Sequence, residues 1–258
     1  MINSFSISGE VPLSSYLKRR EKMKKVFGIV LTIALAMGLV ACGSGSKSAS
    51  GDVNAKSEGV MTYAEYDAAA LDSEVTIEAY VQATQSWWDN KITVYAADGD
   101  GAYFMYNMAC SEEDAAKLVP GTKIKVTGYK SEWAGEVEIA EGATFEIEDG
   151  SYIATAKDVT DLVGKDELAS YQNQLVSFKD MTVTAVSYKN NEPGDDIYVN
   201  LQKGDVEMYF CLEYYLNGSD EEFYNLVGNL EVGQTVDVEG FLYWYEGANP
   251  HLTKVTVK

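Results

Sequence analysis

The sequence predicts an all-β protein with short helices, built as two tandem five-stranded barrels, and three observations lead there. One stretch occurs twice: Val119-Pro-Gly-Thr-Lys-Ile-Lys-Val-Thr-Gly-Tyr129 returns as Glu231-Val-Gly-Gln-Thr-Val-Asp-Val-Glu-Gly-Phe241, with Gly121 matched by Gly233 and Gly128 by Gly240. Repetition of one supersecondary unit implies repetition of one small domain. Short runs of alternating apolar and polar residues recur between turn signals, which is the pattern of half-buried strands. Each half also holds a capping pattern placed between its third and fourth runs.

Thr62-x-x-Glu65 is a capping box before Tyr66, Ala69 and Ala70, so a short helix leads in. Val75, Ile77, Ala79 and Val81 alternate with polar residues over Glu74 to Ala83, giving strand one. Lys91 to Ala97 is strand two, with Ile92, Val94 and Ala96 inward and Tyr95 outward. Asp98-Gly-Asp-Gly101 makes a hairpin turn into strand three, Ala102 to Ala109. Ser111-x-x-Asp114 caps a helix that runs through Val119 and stops at Pro120-Gly121. Lys123 to Tyr129 is strand four, and Glu136 to Ile147 strand five. The second half repeats the series: Gln174 to Ala185, Ile197 to Leu201, Val206 to Leu212, a helix capped by Ser219-x-x-Glu222, Gln234 to Tyr243, and Leu252 to Val257. Gly150 to Asn173 joins the halves through short helical turns.

Three strands, a helix and two more strands is the order of an OB-fold barrel. The charges fit a pairing of strands four and five. Lys123 and Lys125 are expected opposite Glu136 and Glu138, and the signs exchange in the second copy, where Asp237 and Glu239 face Lys254 and Lys258. Such cross-strand pairs contribute roughly 0.2–1 kcal/mol each, so these lysines already have a structural role.

Lys and Arg total 20 against 40 Asp and Glu, a net charge of −20. The first 41 residues hold six of those bases, including both arginines, and two of the acids. From Cys42 onward the balance is therefore 14 against 38, or −24, with no arginine. A surface of that sign repels phosphate backbones, so nucleic acid is expected not to be a partner. Met23-Lys-Lys25 and the apolar run Val26 to Ala41 read as a signal peptide, too short for a span of about 20 residues. Leu39-Val-Ala-Cys-Gly43 resembles the lipobox of bacterial lipoproteins, in which the cysteine, here Cys42, receives a diacylglyceryl group and becomes the new N-terminus. Residues 1–41 are thus an upstream segment and signal peptide with the true start at Met23. Residues 42–60 are a lipid-anchored Gly/Ser-rich linker, with OB-fold domains over 61–150 and 151–258. The expected location is the extracytoplasmic face of the cell membrane, held by the two palmitate-type acyl chains of the diacylglyceryl cysteine.

The region from about Tyr63 to Lys258 resembles tandem OB-fold lipoproteins of Gram-positive bacteria, similar to domains described as OB-fold nucleic-acid-binding-like. Leu71-Asp-Ser-Glu-Val-Thr-Ile-Glu-Ala-Tyr-Val81, Ser86-Trp-Trp88, Val119 to Ile139 and Glu239-Gly-Phe-Leu-Tyr-Trp-Tyr245 carry the resemblance. It implies the fold and leaves the biochemistry open, because OB barrels host many functions.

OB-folds bind ligands on the outer face of strands two and three and on the adjoining loops. The first copy offers Trp87, Trp88, Tyr95 and Trp133 there, and the second Tyr188, Tyr198, Tyr209, Tyr243, Trp244 and Tyr245. Such rings suit stacking on sugars, bases or side chains. Their alternative use is to pack the two barrels together or to cap an open barrel end. The expected function is a non-catalytic surface protein recognising a carbohydrate or a protein through these rings. Single-stranded nucleic acid is the alternative, and a structural spacer without ligand the next. No cofactor or metal is expected: Asp98-Gly-Asp100 lacks the remaining carboxylates of a calcium loop. His251, the only histidine, is expected to be an inert surface residue, and Cys110 and Cys211 to be buried free thiols.

Overall fold

The computed structural model describes residues 52–258. The signal peptide, Cys42 and most of the tether lie outside the described residues. Thr62 opens α1 (Tyr63–Ala68) with the expected capping box: Glu65 N donates to Thr62 Oγ1 at 3.3 Å, and Thr62 N donates to the Glu65 carboxylate at 2.8 Å. Then follow β1 (Glu74–Thr84), β2 (Lys91–Ala97), β3 (Ala102–Ala109), the four-residue α2 (Glu112–Ala115), β4 (Thr122–Trp133), β5 (Glu136–Ile139) and β6 (Thr144–Ser151). Pairing in the order β1-β2-β3-β5-β4, with β4 returning to β1, closes a five-strand barrel, and β6 lies beyond it on β4. Its core is the expected inward set, Val75, Ile77, Ala79, Val81, Ile92, Val94 and Ala96, joined by Met105, Met108, Ile124 and Val126.

The second sheet follows through β7 (Lys157–Asp158), β8 (Leu175–Tyr188), β9 (Ile197–Lys203), β10 (Val206–Leu212), α3 (Tyr214–Asn217), α4 (Glu221–Gly228), β11 (Thr235–Phe241) and β12 (His251–Val257). It is ordered β11-β12-β10-β9-β8-β7, with an added pairing of β11 to β8. Phe178, Met181, Val183, Ile197, Val199, Leu201, Phe210, Val236, Val238 and Leu252 fill a separate core against α4. The linker holds 3-10 turns at Thr160–Leu162 and Asp166–Tyr171.

Several expectations are corrected. Strand five is two strands, because the chain turns at Ala140–Ala143, with Gly142 at φ +91°. β5 and β6 then share one edge of β4 in succession. That break redirects the lysines: Lys123 bonds Glu78 of β1 at 2.8 Å and Glu148 of β6 at 2.9 Å, and Glu136 and Glu138 are buried. In the second sheet the expected hairpin pairs form, Lys254 with Glu239 and Lys258 with Asp237, each at 2.9 Å, and Lys258 also reaches Asp180. α4 is capped by Asp220 rather than Ser219. Cys110 and Cys211 are buried free thiols.

Candidate functional site: a buried seam and an open strand face

The two sheets meet along a ring-filled seam, and there the sequence reading of the aromatics divides. Tyr95 does point outward from the barrel, as its parity requires, but the second sheet covers it completely. Its ring stacks on Phe241 at 4.5 Å and 20°, and tilts against Phe104 at 5.0 Å. Tyr243 is half-buried, edge-on to Phe104 at 5.3 Å and stacked on His251 at 4.4 Å. His251 is buried, against expectation, and shares a 2.6 Å hydrogen bond between its Nδ1 and the Tyr95 hydroxyl. Burial pushes its pKa down to about 3, so the imidazole is neutral.

Polar contacts tie the same seam. Ala134 and Gly135, both at positive φ, make the tight β4–β5 turn, a position for which glycine is suited. Gly135 leaves no room for a side chain: a Cβ there would stand 2.7 Å from Trp244 Cδ1. Glu246 N donates to Ala134 O at 2.7 Å, Gln172 Nε2 to Gly135 O at 2.8 Å, and Ser86 N to Tyr215 O at 2.7 Å. Trp244 N donates to Glu136 Oε2 at 2.8 Å. Glu136 is fully buried, and burial raises its pKa to about 8. Glu213, next to the seam, rises to about 7 through burial and the nearby Asp196 charge.

The remaining rings are scattered. Trp87 is half-buried, its Nε1 donating to Cys110 O at 2.9 Å. Trp88 is 57% exposed at the tip of the β1–β2 turn, with the Lys91 ammonium 5.8 Å from its ring. Trp133 and Trp244 are half-buried, Tyr188 packs against the second core, and Tyr245 is exposed. Only the outer face of β9 and β10 keeps the expected arrangement. Tyr198 is 37% and Tyr209 54% exposed. Tyr198 pairs in register with Cys211 and Tyr209 with Asn200, which sets the two rings diagonally on one face. Glu207 and Thr184 bond each other beside them.

Charge on this face is negative or already matched. Lys189 bridges Asp195 and Asp196 at 3.2 Å each, and Lys203 donates to the Lys179 and Asp180 carbonyls. Asp98 accepts from Lys56 Nζ, Tyr103 Oη and the Asp100 and Gly101 amides, so it holds a turn. Among the described residues no group of three or more His, Cys, Asp or Glu is placed to hold a metal ion. Sequence reasoning missed Phe104, Phe241, His251 and Glu136. One signal was present: Phe241 matches Tyr129 in the repeat, and the copy without the hydroxyl is the buried one.

No protein-family model and no curated protein matches the chain. Solved structures do resemble it in outline. Tetrameric p202 HIN2 aligns over 73% of this chain and 96% of its own, at 12% identity and a TM-score of 0.33. A murine DNA binding protein bound with dsDNA aligns over 71% and 96%, at 10% identity and a TM-score of 0.35. The Ifi202 HINa domain in complex with 20bp dsDNA aligns over 72% and 98%, at 11% identity and a TM-score of 0.34. The closed five-strand barrel of the first sheet is OB-like in its strand order, and none of these matches concerns a bacterial lipoprotein. The expected ligand is corrected. The preference was for carbohydrate or protein over nucleic acid, whereas two of these structures are solved with dsDNA. The rings on which that preference rested are in good part packed into the seam.

Proposed function

We propose that the chain is a non-catalytic two-barrel OB protein whose ligand surface is the outer face of β9 and β10, and that it takes single-stranded nucleic acid there by stacking. We infer with it that the second sheet is a second copy of the barrel, with domains over 61–150 and 151–258. The observation that carries the ligand reading is the exposed Tyr198–Tyr209 pair on strands two and three of that copy, the surface that OB-folds present to oligonucleotides. With no arginine in the described residues and the neighbouring lysines held by carboxylates and carbonyls, the contact must come from base stacking rather than phosphate neutralisation.

Fluorescence anisotropy with labelled ten-nucleotide DNA and RNA tests this. Binding is expected to be nearly flat with salt, because few counterions are released. Y198A and Y209A are each expected to weaken it by about 5- to 150-fold, the equivalent of about 1–3 kcal/mol per stacked base. Absence of binding, or binding indifferent to the double variant, overturns the reading.

The same proposal places the protein on the extracytoplasmic face of a membrane through lipidated Cys42. It rests on the sequence Leu39 to Gly43 alone. Among the described residues no helix is long and apolar enough to cross a membrane. Metabolic labelling with a palmitate analogue, lost in C42S, is the expected result; equal labelling of C42S refutes the anchor.

A further inference from the structure

We propose that the seam between the two sheets is a pH-sensitive closure, latched by the proton on Glu136. The inference stands on the geometry around that carboxyl group. Glu136 is wholly buried, one oxygen accepts from Trp244 N at 2.8 Å, and Oε1 has no hydrogen-bond partner. An ionised carboxylate is an acceptor with two oxygens to satisfy, and a protonated one is also a donor. Asn173 lies within hydrogen-bonding reach and there favours the charged form; its Nδ2 also donates to Val137 O at 3.0 Å, while its Oδ1 is without a partner. The neutral acid is a donor as well as an acceptor beside that unpartnered oxygen. The charged form instead leaves a buried anion answered by the Trp244 amide and Asn173, against a larger desolvation cost.

Among the described residues no cation compensates this anion. From the first barrel, Tyr66 of α1 and Tyr95 of β2 face Glu136 as neutral phenols, and Glu138 follows it on β5. Lys130, over the Tyr66 ring, turns its ammonium to the carbonyls of Tyr66, Asp67 and Ala69. From the second sheet come Tyr243, neutral His251 and, at the loop tip, Glu246. Glu213 caps α3 close to Tyr95, and Lys189 is engaged with Asp195 and Asp196.

The direction of the response follows from these groups. Glu136 and Glu213 hold their protons more tightly in the closed seam, to about 8 and about 7. Their contribution is complete below the ordinary value of 4.5 and is lost as pH rises through those values. His251 works oppositely: its contribution is complete above 6.5 and is lost as pH falls toward 3. Two acids outweigh one base, so the seam is tightest in mild acid and loosens toward alkaline pH.

Hydrogen exchange of the full chain, corrected for intrinsic rates, reads this at the Trp244 amide, which donates to Glu136. Protection there is expected to fall with pH between 5 and 8, while E136Q removes about a tenfold loss per pH unit from that slope. E213Q removes a similar part and stops near pH 7. Carbon-13 NMR of the wild-type carboxyl groups provides an independent reading should E136Q not fold: Glu136 is expected to titrate near 8. Protection independent of pH, an unchanged slope in folded E136Q, or a carboxyl that titrates near its ordinary 4.5 overturns the closure.

Discussion

Phe241→Ala is the sharpest probe of whether the two sheets behave as one body. Phe241 is buried in the seam, stacked on Tyr95 at 4.5 Å, and it ends the β11 hairpin arm that reaches the first barrel. Removing a buried phenylalanine costs about 3–5 kcal/mol through lost transfer energy and the cavity left behind. Domains of this size have total stabilities of about 5–15 kcal/mol, so that loss is enough to separate the seam from the two cores. Urea unfolding followed by tryptophan fluorescence and by far-ultraviolet circular dichroism is expected to give one coincident transition in the wild type. The variant is expected to give an earlier one led by fluorescence, since Trp133 and Trp244 border the seam. A double-mutant cycle of Y95L and F241L isolates the stacked pair, with an expected coupling of about 0.5–1.5 kcal/mol. A cost for Phe241→Ala below about 1 kcal/mol, or zero coupling, would refute the claim that these rings hold the sheets together.

Three further outcomes are expected. Relative to H251Q, the wild type loses about 2 kcal/mol between pH 7 and pH 5, because the unfolded imidazole gains a proton that the buried one refuses until about 3; denaturant midpoints across that range measure it. Gly135→Ala lowers stability by about 1–3 kcal/mol, since φ is +91° and the new methyl would stand 2.7 Å from Trp244 Cδ1; thermal melts report it. Cys110 and Cys211 resist a thiol reagent at pH 8 in the folded chain and react fully in urea, because burial pushes Cys110 up to about 11 and Cys211 well above its ordinary value. Rapid labelling of the native protein would contradict that placement.

What the sequence disclosed was local. The alternation of Val75, Ile77, Ala79 and Val81 gave the inward face of β1, and the Glu239–Lys254 pair followed from hairpin register, because both depend on a few consecutive residues. Lys123 escaped the same reasoning: β4 has neighbours on both edges, and the partners Glu78 and Glu148 lie 45 and 25 positions away (123 against 78 and 148). Tyr95 shows the limit most clearly. Its parity, outward from the barrel, was correct, yet exposure depends on what is packed outside, and no periodicity within β2 reports the arrival of Phe241 and His251. The outward parity of Tyr198 and Tyr209 went with exposure because no described element packs over them.

The union of the two sheets is head-to-tail. The first presents β2 and β3, through Tyr95 and Phe104, while the second answers with the β11–β12 end, through Phe241, Tyr243 and His251. A head-to-tail junction has no two-fold to close it, and between repeated bodies it can in principle grow into a filament. Here growth meets a different vocabulary: where the first sheet shows two packed rings, the second shows Tyr198 and Tyr209 set among Asn200, Gln202 and Glu207. The surface that would receive a further neighbour has become wettable, which weakens the drive to bury it as the first sheet's rings are buried.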